Sequence, residues 1–187
     1  MGRWQPDAPG RLARAAFELF AERGFDQTTV ADIASRAGLT ERTFFRHFAD
    51  KREVLFYGQS ELRETLVSAI GGAPDSAAPL AAVAMALESV GAFFGEMGDR
   101  PRHRQAIIAA NPELQERELI KLASLAAAMA GALRERGVPE PAASLAAEAG
   151  MAVFRVAFDQ WVSGTGQPDL PTAIRESLQQ LQAVTAA

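Results

Sequence analysis

The chain contains no cysteine and only two histidines in 187 residues. Disulfides, thiolate zinc sites and a cysteine nucleophile are thereby excluded, and a cytosolic setting is consistent with the composition. His47 and His103 stand far apart, zinc-type His-Glu spacing is missing, and no glycine-rich phosphate loop occurs, so no catalytic constellation is recognisable. Neither an enzyme nor a bound cofactor or metal is expected. β-Branched residues are few beside the Ala and Leu that dominate a 48% hydrophobic composition, which favours helix over strand. The first ten residues are polar and broken by Pro6 and Pro9, without the apolar stretch of a signal peptide. The charge-free stretch between Lys121 and Arg134 falls well short of the roughly 18 residues that span a bilayer. The expectation is a soluble, cytoplasmic, all-α protein with no membrane partner.

What is present divides unevenly. Residues 1–52 hold nine Lys/Arg against seven Asp/Glu, and the remainder holds ten against sixteen. Between Arg36 and Arg52 five basic residues face only Glu41 and Asp50, an excess that suits either a solvated helical face or contact with phosphates. Leu12, Ala16, Leu19 and Phe20 recur at helical spacing after Pro9, and Gly24 supplies a left-handed stop. Thr29 with Asp32 resembles a capping box for a short second helix whose inward residues are Val30, Ile33, Ala34 and Ala37, ended by Gly38. Thr40 can cap a third helix with Phe44 and Phe48 pointing inward. Asp50 with Glu53 then suggests the cap of a long fourth helix that runs through Tyr57, Glu61 and Leu62 to about Ile70.

Breaks at 71–79, 98–101, 137–141 and 164–171, together with Asn111-Pro112, separate further segments near 78–97, 102–110, 112–136, 141–163 and 171–184. The total is about nine helices. They divide into a flexible N-terminal arm (1–9), a three-helix helix-turn-helix domain (10–52) and a C-terminal helical domain (53–187).

On the third helix Arg42 and Arg46 lie one turn apart, as do Thr43 and His47, opposite the two phenylalanines. Such a helix fits the major groove, where Arg can pair with guanine and a Thr methyl can touch a thymine methyl. Lys51, at the expected start of the fourth helix, adds phosphate binding beside free backbone N–H groups.

Residues 11–55 resemble the DNA-binding domain of the TetR family of repressors. The resemblance rests on Ala16, Leu19, Phe20, Gly24, Phe25, Thr28, Thr29, Val30, Ile33, Ala34, Ala37, Gly38, Thr40, Thr43, Phe44, His47, Phe48 and Lys51 at the family's spacing. It implies operator contact through Thr28 or Thr29, Arg36, Thr40, Thr43, His47 and Lys51, and a C-terminal domain that dimerises and binds an inducer. Where many members carry a Tyr whose hydroxyl meets phosphate, this chain has Phe45, which leaves that role to Arg46. The run Thr43-Phe44-Phe45-Arg46 is similar to that of regulators that recognise acyl-CoA-like ligands. His47 is either a half-buried structural residue or, as the resemblance implies, a phosphate contact, whereas His103 reads as part of a solvated turn.

Beyond residue 60 the resemblance is architectural. The segment 141–163 shows three faces: small residues, a large apolar row at Met151, Phe154, Phe158 and Trp161, and a polar row at Glu148, Arg155 and Asp159. Arg155 and Asp159 form either a one-turn ion pair or polar groups projecting into a ligand pocket. Phe93, Phe94, Met97, Met129, Phe154 and Phe158 are candidates to line that pocket or to fill the core. The resemblance further implies a homodimer through the last two helices and a small hydrophobic inducer. The alternative is an architectural DNA-binding protein or adaptor that needs no ligand.

Overall fold

The first four N–H groups of a helix lack partners within it, so short helices depend on what closes their ends. The computed structural model, which describes residues 7–95, 97–164 and 168–186, shows this dependence at once. Helix α1 (Ala8–Arg23) is opened by Asp7, whose carboxylate accepts from the Gly10 N–H at 2.9 Å. It stops at Gly24, whose φ of 85° a side chain would disfavour. Helix α2 (Val30–Arg36) has a reciprocal capping box: Thr29 Oγ1 accepts from Asp32 N at 3.1 Å, and Thr29 N donates to Asp32 Oδ2 at 3.0 Å. Its C-terminus is a Schellman motif about Gly38, with Leu39 N to Ala34 O at 2.8 Å and Gly38 N to Ser35 O at 3.0 Å. Thr40 caps α3 (Glu41–His47) by accepting from Thr43 N at 3.2 Å. Each such cap contributes about 1 kcal/mol.

These three helices pack on one another around Leu12, Leu19, Ile33 and Phe44, all essentially without solvent contact. The chain continues into a 3₁₀ turn (Glu53–Phe56) whose Val54, Leu55 and Phe56 are buried and which packs on α1. The expected continuous fourth helix is therefore corrected. Asp50 does cap, accepting from Arg52 N and Glu53 N, but what it opens is one tight turn. Gly58, at φ 91°, breaks the chain before α4 (Gln59–Gly71) begins. The turn belongs to the first compact unit, residues 1–59, and not to the second, 60–187. Of the arm expected at 1–9, residues 1–6 lie outside the described residues, and Ala8 and Pro9 already belong to α1.

The second unit comprises the rest of α4, then α5 (Pro79–Gly95), α6 (Arg100–Ala109), α7 (Pro112–Glu135), α8 (Ala142–Ser163) and α9 (Leu170–Thr185). No strand occurs among the described residues, and no single helix among them is long and apolar enough to cross a membrane. Helix α8 is central and packs on α5, α7 and α9, with α5 also lying along α9. Close approach is possible because the contact residues are small: a Cβ on Gly150 would lie 2.2 Å from Val83 Cγ1. Leu87, Met129, Leu133 and Ile174 fill the interior, and burying each such side chain is worth about 1.5–3 kcal/mol.

Arg136, just beyond α7, gathers the carbonyls at the end of α4. It donates to Ile70 O at 3.1 Å, Ala73 O at 2.6 Å and Pro74 O at 2.8 Å, supplying partners for groups that the helix leaves unpaired.

Candidate functional site

Helices α2 and α3, joined by the Gly38 turn, form a helix-turn-helix. Phe44 is wholly buried, with the Phe48 ring tilted against it at 5.4 Å between ring centroids, and this pair fixes which side of α3 faces outward. That outward side carries Arg42, Phe45, Arg46 and His47, all exposed, with Thr43 half-buried at its margin. Among the described residues neither Arg42 nor Arg46 is engaged by a carboxylate, and Arg46 Nη2 lies 3.4 Å from His47 Nε2. Two guanidinium groups on one exposed helix face are free to donate to phosphate or base edges. Thr40 is exposed, and its hydroxyl lies 3.0 Å from that of Thr43. Thr29 is exposed at the start of α2, where its hydroxyl donates to Asp32 Oδ2 at 2.7 Å.

Three of the expected DNA contacts have other occupations. Thr28 is a correction: its side chain has 0% exposure, and its hydroxyl donates to Gly24 O at 2.8 Å, inside the α1–α2 connection. Lys51 is a second. Its ammonium donates to Phe25 O at 2.8 Å, Thr28 O at 3.0 Å and Asp26 O at 3.3 Å and sits 4.5 Å from the centre of the Phe25 ring. All three of its hydrogens serve the loop between α1 and α2, and burial pushes its pKa below the usual lysine range. No helix N-terminus opens beside it for phosphate either, because Asp50 already accepts from the backbone nitrogens of Arg52 and Glu53.

Arg36 is the third. It forms a two-pronged pair with Glu22 at 2.8 and 2.7 Å and approaches Glu18 at 3.5 Å, buttressing α2 against α1. The hydrogen bond to Arg36 holds the Glu22 carboxyl below its ordinary range, and the same contact raises the arginine's pKa. The partners of Lys51 and Arg36 lie far from any helical spacing, so periodicity could not reveal them.

In the second unit four aromatic rings meet between α5 and α8. Phe154 and Phe158 stack at 5.6 Å, Phe94 meets Phe158 edge-on at 5.7 Å, and Trp161 lies 5.7 Å from Phe158. Met129 is wholly buried in the same core, and Met97 is half-buried just past α5. The structure thus brings Phe94, Phe154 and Phe158 together and leaves others out. Phe93 is 58% exposed and faces away from the cluster. Arg155 and Asp159 are exposed on α8 with no ion pair between them among the described residues, which corrects both readings of that pair. They accompany Leu145 and Val156, which are 66% and 51% exposed, on the outer side of the helix.

An all-helical chain with an N-terminal helix-turn-helix and a separate helical unit is the class that this geometry defines. Residues 12–57 match the family described as "Bacterial regulatory proteins, tetR family", and residues 77–186 match the "MftR C-terminal domain". The chain belongs to the TetR family. It is similar to the transcriptional regulator TcmR of Streptomyces glaucescens, 40% identical over 80 residues that make up 43% of this chain and 35% of that one. It is also 31% identical over 115 residues to MftR of Mycobacterium tuberculosis, a regulator named for mycofactocin biosynthesis, which covers 62% of this chain and 58% of the relative. Among solved structures, the FadR repressor of Thermus thermophilus in complex with lauroyl-CoA superposes with a TM-score of 0.57 at 23% identity, covering 96% of this chain and 95% of that one. At that identity the likeness is one of fold.

Proposed function

We propose that this chain is a cytoplasmic transcriptional repressor that binds operator DNA as a homodimer through α8 and α9 and is released by a small hydrophobic ligand. The observation that carries the DNA-binding part is the outward face of α3, where Arg42 and Arg46 stand without carboxylate partners beside Thr43 and His47. Exposed Leu145 and Val156 on α8 and Val184 on α9, the last at 80%, support a dimer, since large apolar side chains on the outside of a helical unit favour a partner surface. On this reading the first compact unit, 1–59, serves DNA and the second, 60–187, serves ligand and dimer.

A twofold dimer should select a near-palindromic site, with reading helices about 34–36 Å apart if they occupy successive turns of the major groove. Binding measured by fluorescence anisotropy on duplexes selected from a random pool tests this reading. Affinity should fall steeply as salt rises, and Arg42→Ala or Arg46→Ala should cost about 1–3 kcal/mol on the selected site and less on random DNA. No preference over random DNA would overturn the reading.

The ligand part rests on the aromatic cluster of Phe94, Phe154 and Phe158, which an acyl chain could enter by parting Phe94 from the α8 rings. Exposed Arg155 does not support an anion anchor inside the cluster. Lauroyl-CoA, the ligand of the FadR neighbour, is the first probe: titrated into the protein–operator complex, it should release DNA from wild type and much less from Phe158→Ala. Release requires the ligand to bind the DNA-free state better, and a ligand indifferent to both states shifts nothing. The ring-on-ring contacts of the cluster favour a second reading, a ligand-independent regulator, which stands if no hydrophobic ligand changes operator affinity.

A further inference from the structure

The side chains on the outward face of α3 are not alike. Glu41, Arg42, Arg46 and His47 are exposed groups that can donate or accept a hydrogen bond, and Thr43 at the margin can do both. Phe45 can do neither, yet it is 55% exposed on the same short helix. It rests edge-on against Phe44, 5.5 Å between centroids and 82° between planes, and Phe44 is itself wholly buried and in tilted contact with Phe48. An apolar side chain therefore stands at the edge of a surface that is otherwise charged and polar.

The major groove limits what such a ring can meet favourably. Guanine, adenine and cytosine present hydrogen-bond donors and acceptors along the groove, and desolvating those against a phenyl ring leaves them unpaired. Phosphate oxygens present the same difficulty more strongly, because they are charged. The one apolar group on a base edge in that groove is the C5-methyl of thymine. At 100° per residue Phe45 lies beside the Arg42–Arg46 row, within reach of a base next to those that the arginines contact.

We propose that Phe45 is a specificity-determining residue that reads a thymine methyl in each half-site of the operator. This rests on the operator-binding reading above and adds to it the identity of one base.

The test uses the full-length protein and the duplex that it selects from a random pool. Each thymine of a half-site is replaced in turn by deoxyuridine, which removes the methyl and leaves every hydrogen-bonding group in place. Wild type should lose affinity about threefold to fivefold at one position per half-site, the magnitude expected for one buried methyl. At that position Phe45→Ala should bind the thymine and uracil duplexes equally, while Phe45→Leu, still apolar, should keep part of the discrimination. Replacing the thymine by cytosine should weaken wild type, and 5-methylcytosine should restore part of the loss. The proposal is overturned if uracil is silent at every position in wild type, or if Phe45→Ala shows the same uracil loss as wild type. It is equally overturned if Phe45→Ala lowers affinity alike for all sequences, which would place the ring against deoxyribose. Failure to select any sequence would instead strike the operator-binding reading itself, and the two failures are thus distinguishable.

Discussion

Helices α2 and α3 are seven residues each, whereas α7 and α8 run to 24 and 22. A seven-residue segment is far below the roughly 12–15 residues at which an isolated helix becomes even marginal in water. In the first unit the sequence compensates at the ends, with a side-chain cap before each helix and glycine turns after α1 and α2. In the second unit α7 and α8 have no side-chain cap bond at their N-termini, and they are held along their length by Ala and Gly that let the backbones approach. Local chemistry at helix ends specifies the DNA-binding unit, and tertiary packing specifies the other. For function the difference is apt: an end-capped unit can present a fixed reading surface, while helices packed mostly through small apolar side chains can shift against one another.

The largest effect should come from emptying each core in turn. Phe44→Ala in the first unit should cost about 3–5 kcal/mol and Met129→Ala in the second about 2–5 kcal/mol, both being wholly buried. If the units are held by separate means, calorimetry on Phe44→Ala should resolve an early transition for the first unit and leave the later one where wild type has it. A single transition that shifts as a whole would show the units to be one cooperative body and break the comparison.

A smaller effect sharpens it. Gly150→Ala places a methyl 2.2 Å from Val83 Cγ1, an overlap that forces α8 away from α5 or Val83 off its rotamer, at about 1–3 kcal/mol. Combining it with Val83→Ala removes the clashing atom and should recover part of the loss in urea denaturation. A neutral Gly150→Ala would mean that the close approach of smooth faces does not hold the second unit together.

The same contrast explains what could be read from the sequence. Thr29 with Asp32, Thr40 and Gly38 mark their helix ends because capping acts over three or four residues and leaves a local pattern. The helix count, the inward faces of α1 to α3 and the all-α class followed from such signals. The carbonyls that occupy Lys51, the carboxylates that hold Arg36 and the grip of Arg136 on the end of α4 join residues far apart in the chain. The break before α4 did leave a sign in Gly58 itself, the residue type that tolerates the φ of 91° found there. On α8 the spacing showed which residues share a face, but not which face meets α5 and which is left outside, so Arg155 and Asp159 were open to two readings that the exposed row excludes.

The smallest effect is electrostatic and separates the two units by pH. In the first unit, hydrogen bonds from Thr29 hold the Asp32 carboxyl below its ordinary value of 3.8, and Arg36 does the same for Glu22 below 4.5. In the second unit Thr172 lowers Asp169, and Arg134 and Ser144 lower Glu140. A carboxyl with a lowered folded-state pKa binds fewer protons folded than unfolded. Its contribution is thus complete above the unfolded value and is lost as pH falls through the lowered one. Urea midpoints followed between about pH 7 and about pH 3 should therefore stay level to roughly pH 5 and then decline. Asp32→Asn should reduce the midpoint at neutral pH and flatten the acid decline of the first unit, because α2 has only seven residues over which to share the lost first-turn charge and its pairing with Arg23. Asp169→Asn removes the carboxylate charge at the start of the sixteen-residue α9, already packed along α5 and α8, while its amide oxygen can still accept from Thr172 N, and should change its unit's acid decline less. Equal flattening by the two variants would mean that caps matter as much to the long helices as to the short ones, and that length and packing are not what distinguishes the units.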